Sequence, residues 1–310
     1  MTKKAFFFID DVIWMLRDIA KQKPKSVFQQ PFLSVLKKAH DLYGMKVQLN
    51  LFLRTDFYYG GEEFNLSQVP DSYKAEWEEA SDWLKFGFHA KQEFPDYPYV
   101  NADYEDVRRD LEETKAQVCR FAGERSFAKA AISHWLPISK EGCQALFDGG
   151  IRLLSVSSGE RQEYNGDPFS LPYGHAGRLL QNRKPETKVY RRGSRDVAID
   201  SSICAYNHIS DEVNCQIRGN FSYYKDEATG MGFKRYCTGP CLNLVSLQEL
   251  ESEFEAADLT TEYFGYATHE QYFYPDYYAY QPDYSQKILK AAEIINRSGY
   301  EYFFAEEMVQ

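Results

Sequence analysis

Residues able to do chemistry gather where short apolar runs stop. The run Ala5–Ile9 ends on two adjacent carboxylates, Asp10 and Asp11. Lys85–Ala90 delivers His89, with Glu93 four residues further on. Phe127–Ser133 is followed by His134 and Trp135, and the late run YFGYA leads into His269 and Glu270. A carboxylate, an imidazole and a second carboxylate form a donor set for a hard-to-borderline divalent ion. Asp-His-Glu leaves coordination positions for water and substrate, as a catalytic rather than a structural metal requires. His89 and Glu93 meet on one face only if the chain between them makes a helical turn. A single strand-end Asp commonly caps a turn. A single Glu93 reads as a solvated surface residue, and a helix-end His such as His40 as structural. Polar groups at the ends of several separate strands point instead to one shared site.

The elements that must position these groups alternate along the chain. Ala5–Ile9 reads as a strand, Pro31–Tyr43 as a helix with Pro at its first position and Gly44 at its stop, and Lys46–Leu53 as a strand. A helix over Tyr73–Leu84 precedes the short strand Lys85–Ala90. Asp103 caps a helix from Tyr104 to Phe121. Phe127–Ser133 is a strand, Ser139 caps a short helix, and Ile151–Val156 is the next strand. Residues 159–195 carry six Arg with little apolar periodicity and read as an irregular insertion. Strand character resumes at Asp196–Ile203, and 204–240 fits no regular element. Ser246 to Glu249 is a capping box opening a helix to about Ala256. Glu262–Ala267 is a strand, Pro282–Asn296 a helix and Tyr300–Phe304 a last strand. Seven or eight βα units without an internal linker predict one α/β domain over 1–310, a parallel barrel of seven or eight strands. The alternation also fits an open doubly wound sheet.

Bulk composition narrows the function classes. The 310 residues are 44% apolar and 26% charged, an ordinary globular balance, and the net charge of −10 argues against nucleic acid or an anionic membrane as partner. The apolar start breaks at Asp10, too early for a secretory core, and no run approaches the length of a membrane span. With six dispersed cysteines this reads as a cytoplasmic protein with reduced thiols. The 24 Tyr, 22 Phe and 4 Trp are mostly packing residues, yet aromatic faces also suit sugar rings.

With these motifs in view, the chain resembles the polysaccharide deacetylase superfamily, the NodB-homology or carbohydrate esterase family 4 group. FFFIDD matches that family's Asp-Asp strand end, and FGFHAKQE its metal-binding His motif. HWLP stands where its Arg/Pro motif belongs, and YATHEQ where its last catalytic His belongs. The resemblance runs over most of the chain by order of motifs. Glu93 stands where the family has a second metal-binding His, Val12 where a Gly follows the Asp pair, and His134 near the usual Arg. These departures mark a divergent branch, with a substrate that need not be a polymer.

The resemblance implies a distorted (β/α)7 or (β/α)8 barrel and one divalent ion, zinc before others, held by Asp11, His89 and Glu93. Asp10 would be the general base, His269 the general acid, and His134 or Trp135 would orient Asp10 or the substrate. Two carboxylates among three ligands would make the ion a weaker Lewis acid. The substrate implied is an N- or O-acylated carbohydrate or a related small molecule. Trp135, Tyr272, Tyr274 and Arg54 are candidates to hold it, with Asp56 beside Arg54. A non-catalytic saccharide-binding barrel is the alternative. A glycosidase is disfavoured, because neighbours on a strand point to opposite faces and Asp10 and Asp11 would not face each other across a sugar. The oligomeric state is left open by the sequence.

Overall fold

The computed structural model describes residues 3–55, 63–93, 98–99, 102–136, 138–155, 213, 223–235, 238–277 and 279–309, and the backbone of 187–192 and 195–200. Strand β1 (Lys3–Val12) is followed by helices α1 (Trp14–Gln22) and α2 (Pro31–Tyr43). Then come β2 (Val47–Phe52), α3 (Lys74–Ala80), β3 (Leu84–Ala90), α4 (Tyr104–Ala122), β4 (Ala130–Ala131), α5 (Lys140–Asp148) and β5 (Leu153–Ser155). An antiparallel hairpin, β6 (Thr187–Arg192) and β7 (Arg195–Asp200), lies at the end of the expected insertion, the rest of which falls outside the described residues. The chain closes with β8 (Tyr224–Lys225), β9 (Gly232–Lys234), α6 (Leu250–Ala256), β10 (Tyr263–His269), α7 (Tyr284–Arg297) and β11 (Tyr300–Tyr302). Among the described residues no helix is long and apolar enough to cross a membrane.

The architecture is mixed α/β around parallel strands. One sheet runs β10-β1-β2-β3, all parallel, with β11 on the lower end of β1. A second runs β4-β5-β9-β8. A parallel bridge from Phe86 to Phe127 joins β3 to the second sheet, and another from Cys241 to Ala267 flanks β10. The period-2 alternation of the strands separates two cores. Phe7, Ile9, Val47, Leu49 and Leu51 face the helices, among Phe32, Leu36, Ile288 and Ile295. Phe6 and Phe8 turn the other way, onto Ala130, Ile132, Leu153, Cys241 and Ala267 from strands across the fold. This inner set is what a barrel-like arrangement requires, and Phe303 and Ala305 cover its lower end.

Local signals explain the elements. Gln30 accepts the Leu33 N–H ahead of Pro31, and Gly44, at φ +66°, ends α2 in the left-handed region. The Asp103 carboxylate accepts the Asp106 N–H, and α4 buries Val107, Leu111, Val118 and Phe121. The expected helix after Tyr73 is shorter, ending at Ala80, because the chain must turn before β3. The expected strand Phe127–Ser133 keeps only two ladder residues. Helix α1 is absent from the sequence reading. Its start carries no capping side chain of its own; Glu270, far along the chain, supplies it.

Candidate metal centre

Two bulges build the site. Along β1 and β2, Ile9 pairs with Leu49 and Val12 with Leu51, so β1 carries one extra residue at the acidic pair. Asp11 takes the left-handed conformation, φ +61°. Asp10 keeps the inward direction of Phe6 and Phe8, and the bulge turns Asp11 to the same side. The expectation that the two carboxylates face apart is therefore corrected. On β3 the register shifts between Phe88 and Ala90, which makes His89 the extra residue.

The turn after β4 brings in His134. Its N–H donates to the His89 carbonyl at 3.1 Å, and the next two residues, Trp135 and Leu136, both have positive φ. Non-glycine residues there are strained, and such strain tends to be kept at functional sites.

Three acceptor atoms converge. His89 Nδ1 donates to the Ile132 carbonyl at 2.6 Å, which fixes its tautomer and leaves Nε2 with a lone pair. His134 Nε2 donates to the Glu93 carbonyl at 3.1 Å, which leaves Nδ1 as its free acceptor. His134 Nδ1 lies 3.0 Å from His89 Nε2. Asp11 Oδ1 lies 3.1 Å from His89 Nε2 and 3.3 Å from His134 Nδ1. Three lone pairs this close repel unless a cation or a proton sits among them. Zinc bonds of roughly 2.0–2.1 Å in tetrahedral array hold ligand atoms about 3.3 Å apart. Asp11, His89 and His134 therefore fit a divalent ion, and they form the described group with that capacity.

This set differs from the expected one. Glu93 is buried, its backbone carbonyl accepts from His134 Nε2, and residues 91–93 form a bend rather than a helix. The group of described residues that could hold an ion contains His134 and not Glu93. One carboxylate and two imidazoles would leave an ion one positive charge richer than Asp-His-Glu.

Electrostatics follow from burial and neighbours. Burial alone would raise the Asp11 carboxyl, yet without a metal the neighbouring His134 and His89, when protonated, donate to it and hold it well below the usual carboxylate range. Burial alone would lower His89, and the carboxylates of Asp10 and Asp11 outweigh it and raise the imidazole. Asp10 Oδ1 accepts from Asn50 Nδ2 at 2.6 Å and lies 3.9 Å from His89 Nδ1. Asn50 is held in turn by Gln48, whose amide also spans the interior to the Ala130 carbonyl at 3.0 Å. Gly87 makes room for this chain of amides, since a Cβ there would stand 2.3 Å from Asn50 Oδ1.

His269 ends the neighbouring strand β10, its backbone in register with Asp10. Asn243 Oδ1 lies 3.0 Å from His269 Nδ1, which places the ring proton on Nδ1 and the lone pair on Nε2. Burial lowers this imidazole, against the pull of Asp11 and Asp10. Trp135 and Tyr272 are half-buried, their rings 5.9 Å from His134 and 6.3 Å from His269.

Other expected contacts lie elsewhere. Tyr274 is buried against Trp14, with its hydroxyl on Gln30 and Glu270. Arg54 is engaged by Gln92 and Glu63. Asp56, Cys204, Cys215 and Cys237 lie outside the described residues. Asn50, Asn243 and Gln271 were missed by the sequence reading. Gln48 and Asn50 did leave a signal: two amides at period 2 in an otherwise apolar strand.

No family profile matches the chain, and no curated protein matches it in sequence. Solved structures do. The 4-alpha-glucanotransferase from Thermococcus litoralis aligns with TM-score 0.47 and 12% identity, over 99% of this chain and 40% of that one. The carbohydrate deacetylase Agd3 aligns with TM-score 0.47 and 11% identity, over 99% of this chain and 53% of that one. The Xyl-CE4 domain of a multidomain xylanase from the hindgut metagenome of Trinervitermes trinervoides aligns with TM-score 0.39 and 9% identity, over 99% and 90%. Carbohydrate deacetylases recur among these structures, at low identity. This chain spans less than two thirds of the glucanotransferase and of Agd3.

Proposed function

We propose that the protein is a metal-dependent hydrolase that removes an acyl group from a carbohydrate or a related small molecule. The observation that carries this reading is the convergence of Asp11 Oδ1, His89 Nε2 and His134 Nδ1, with the Asp10 carboxylate beside them. Asp11, His89 and His134 would hold the ion, zinc by its donor set. Such an ion, when bound, supplies water of lowered pKa and polarises an acyl carbonyl. Asp10, aimed by Asn50, accepts the proton of the attacking water. His269 has Nδ1 bound to Asn243 and stands in register with Asp10, so its Nε2 passes a proton to the departing amine or alkoxide. Because the Nδ1 proton is turned to Asn243, Nε2 must first take up the proton it passes on, and the water ionised at Asp10 is a source within the site. Phe52 packs on both metal-site imidazoles and excludes water from that flank. Trp135 and Tyr272 offer aromatic faces to a sugar ring.

The test is zinc titration of chelator-treated protein by calorimetry, together with acetate release from a panel of N- and O-acetylated sugars. One zinc per chain and activity abolished by chelation are expected. Asp10→Asn should retain the zinc and lose about 10²–10⁴-fold in turnover. Protein that binds no zinc, or acetate release indifferent to chelation, would refute the reading.

A further inference from the structure

Gln271 sits two residues beyond His269, 3% exposed, and its Nε2 donates to Asp11 Oδ2 at 2.9 Å. Its Oε1 has no hydrogen-bond partner among the described residues. A reversed amide would set an oxygen against a carboxylate oxygen, so the donor assignment is fixed by charge. Burying an amide that makes one side-chain hydrogen bond costs more than burying an apolar side chain of the same size. Packing therefore does not explain the residue, whereas Asp11 does. With Oδ2 occupied by an N–H, Asp11 has one oxygen, Oδ1, turned to the two imidazoles.

We infer that Gln271 is a positioning residue that makes Asp11 a one-oxygen ligand and so sets the coordination number of the ion. The inference rests on the metal-centre reading above. Three single-atom donors and one position for solvent or substrate give a four-coordinate site, the preference of zinc. A carboxylate free to bind through both oxygens favours larger, oxygen-seeking ions with six to eight ligand atoms. Glu270 completes the arrangement from the same turn. Its carboxylate accepts the N–H groups of Ile13, Trp14 and Met15 at 2.7, 2.8 and 2.7 Å and fixes the chain just after the strained Asp11. Adjacent residues of one strand end thus hold the backbone and the side chain that present a single oxygen.

The experiment compares wild type with Gln271→Met, a side chain of similar size that cannot donate. Zinc affinity is measured by chelator competition, and cobalt(II) reports coordination through its visible spectrum, which is intense for four ligands and weak for five or six. Wild type should show the intense four-coordinate spectrum. Gln271→Met should bind zinc at least ~10-fold more weakly and lose cobalt absorbance, with little change in the melting temperature of the metal-free protein. A purely structural Gln271 would lower that melting temperature and leave the spectrum of the loaded protein as it was. Equal affinity and equal spectra in the two proteins overturn the inference alone. A weak cobalt spectrum in wild type overturns it even if the variant does not fold. Wild type that takes neither zinc nor cobalt overturns the metal-centre reading with it.

Discussion

Removing the His134 imidazole takes away one of the three converging acceptors. His134→Ala should lower zinc affinity by at least ~100-fold, beyond what the loss of an outer hydrogen-bond partner costs. Glu93→Gln should change it less than about threefold, because the carbonyl that holds His134 is kept. Chelator competition on the two variants decides between them. If Glu93→Gln proved the more damaging, the ligand set would be wrong. Asp10, Asp11, His89 and His269 stand out in the sequence because charged or titratable groups ending apolar strands have few structural uses. The approach of His134 to Asp11 and His89 was not legible. It depends on where the turn after β4 folds back, and positive φ at Trp135 and Leu136 leaves no mark in residue type.

At the scale of elements, β2 and the turn after β10 act on the site through buried amides and a buried acid. Gly87 on β3 gives the Gln48–Asn50 pair its space. Gly87→Ala should push Asn50 off Asp10 and reduce turnover on the order of 10²-fold, with zinc affinity little changed, as steady-state kinetics beside calorimetry would show. Glu270 caps α1 across the fold, and burial pushes its carboxyl up to about 7, against the three N–H groups that lower it. A carboxyl whose folded pKa lies above its unfolded value binds more protons in the folded state. Its contribution is therefore largest below about pH 4.5 and is lost as pH rises through about 7. Relative to Glu270→Gln, the metal-free wild type should lose about 3 kcal/mol of unfolding free energy between pH 5 and 8. Urea denaturation at the two pH values measures this, and a difference independent of pH would contradict it. The cap also explains why α1 escaped the sequence reading. Its start signal lies more than 250 residues away in the chain.

For the whole molecule, the link between the two sheets runs through Phe86, fully buried between Trp77 and Phe121 and bridged to Phe127. Phe86→Ala should cost about 3–5 kcal/mol, read as a lower urea midpoint. Zinc affinity of the folded fraction should be preserved, since His89 is held from the far end of β3. The alternation of apolar runs, helix stops and capping residues determined the succession of elements and the parallel α/β class, because each depends on local periodicity and backbone preference. It also determined that polar chemistry collects at strand ends. Bulges and left-handed residues decided which atoms meet there. Two adjacent carboxylates came to share one side of a strand, and His134 was placed among the acceptors. Asn50, Asn243, Glu270 and Gln271 became the partners that aim them. These are long-range contacts whose geometry no local pattern encodes, so only the tertiary structure could settle them.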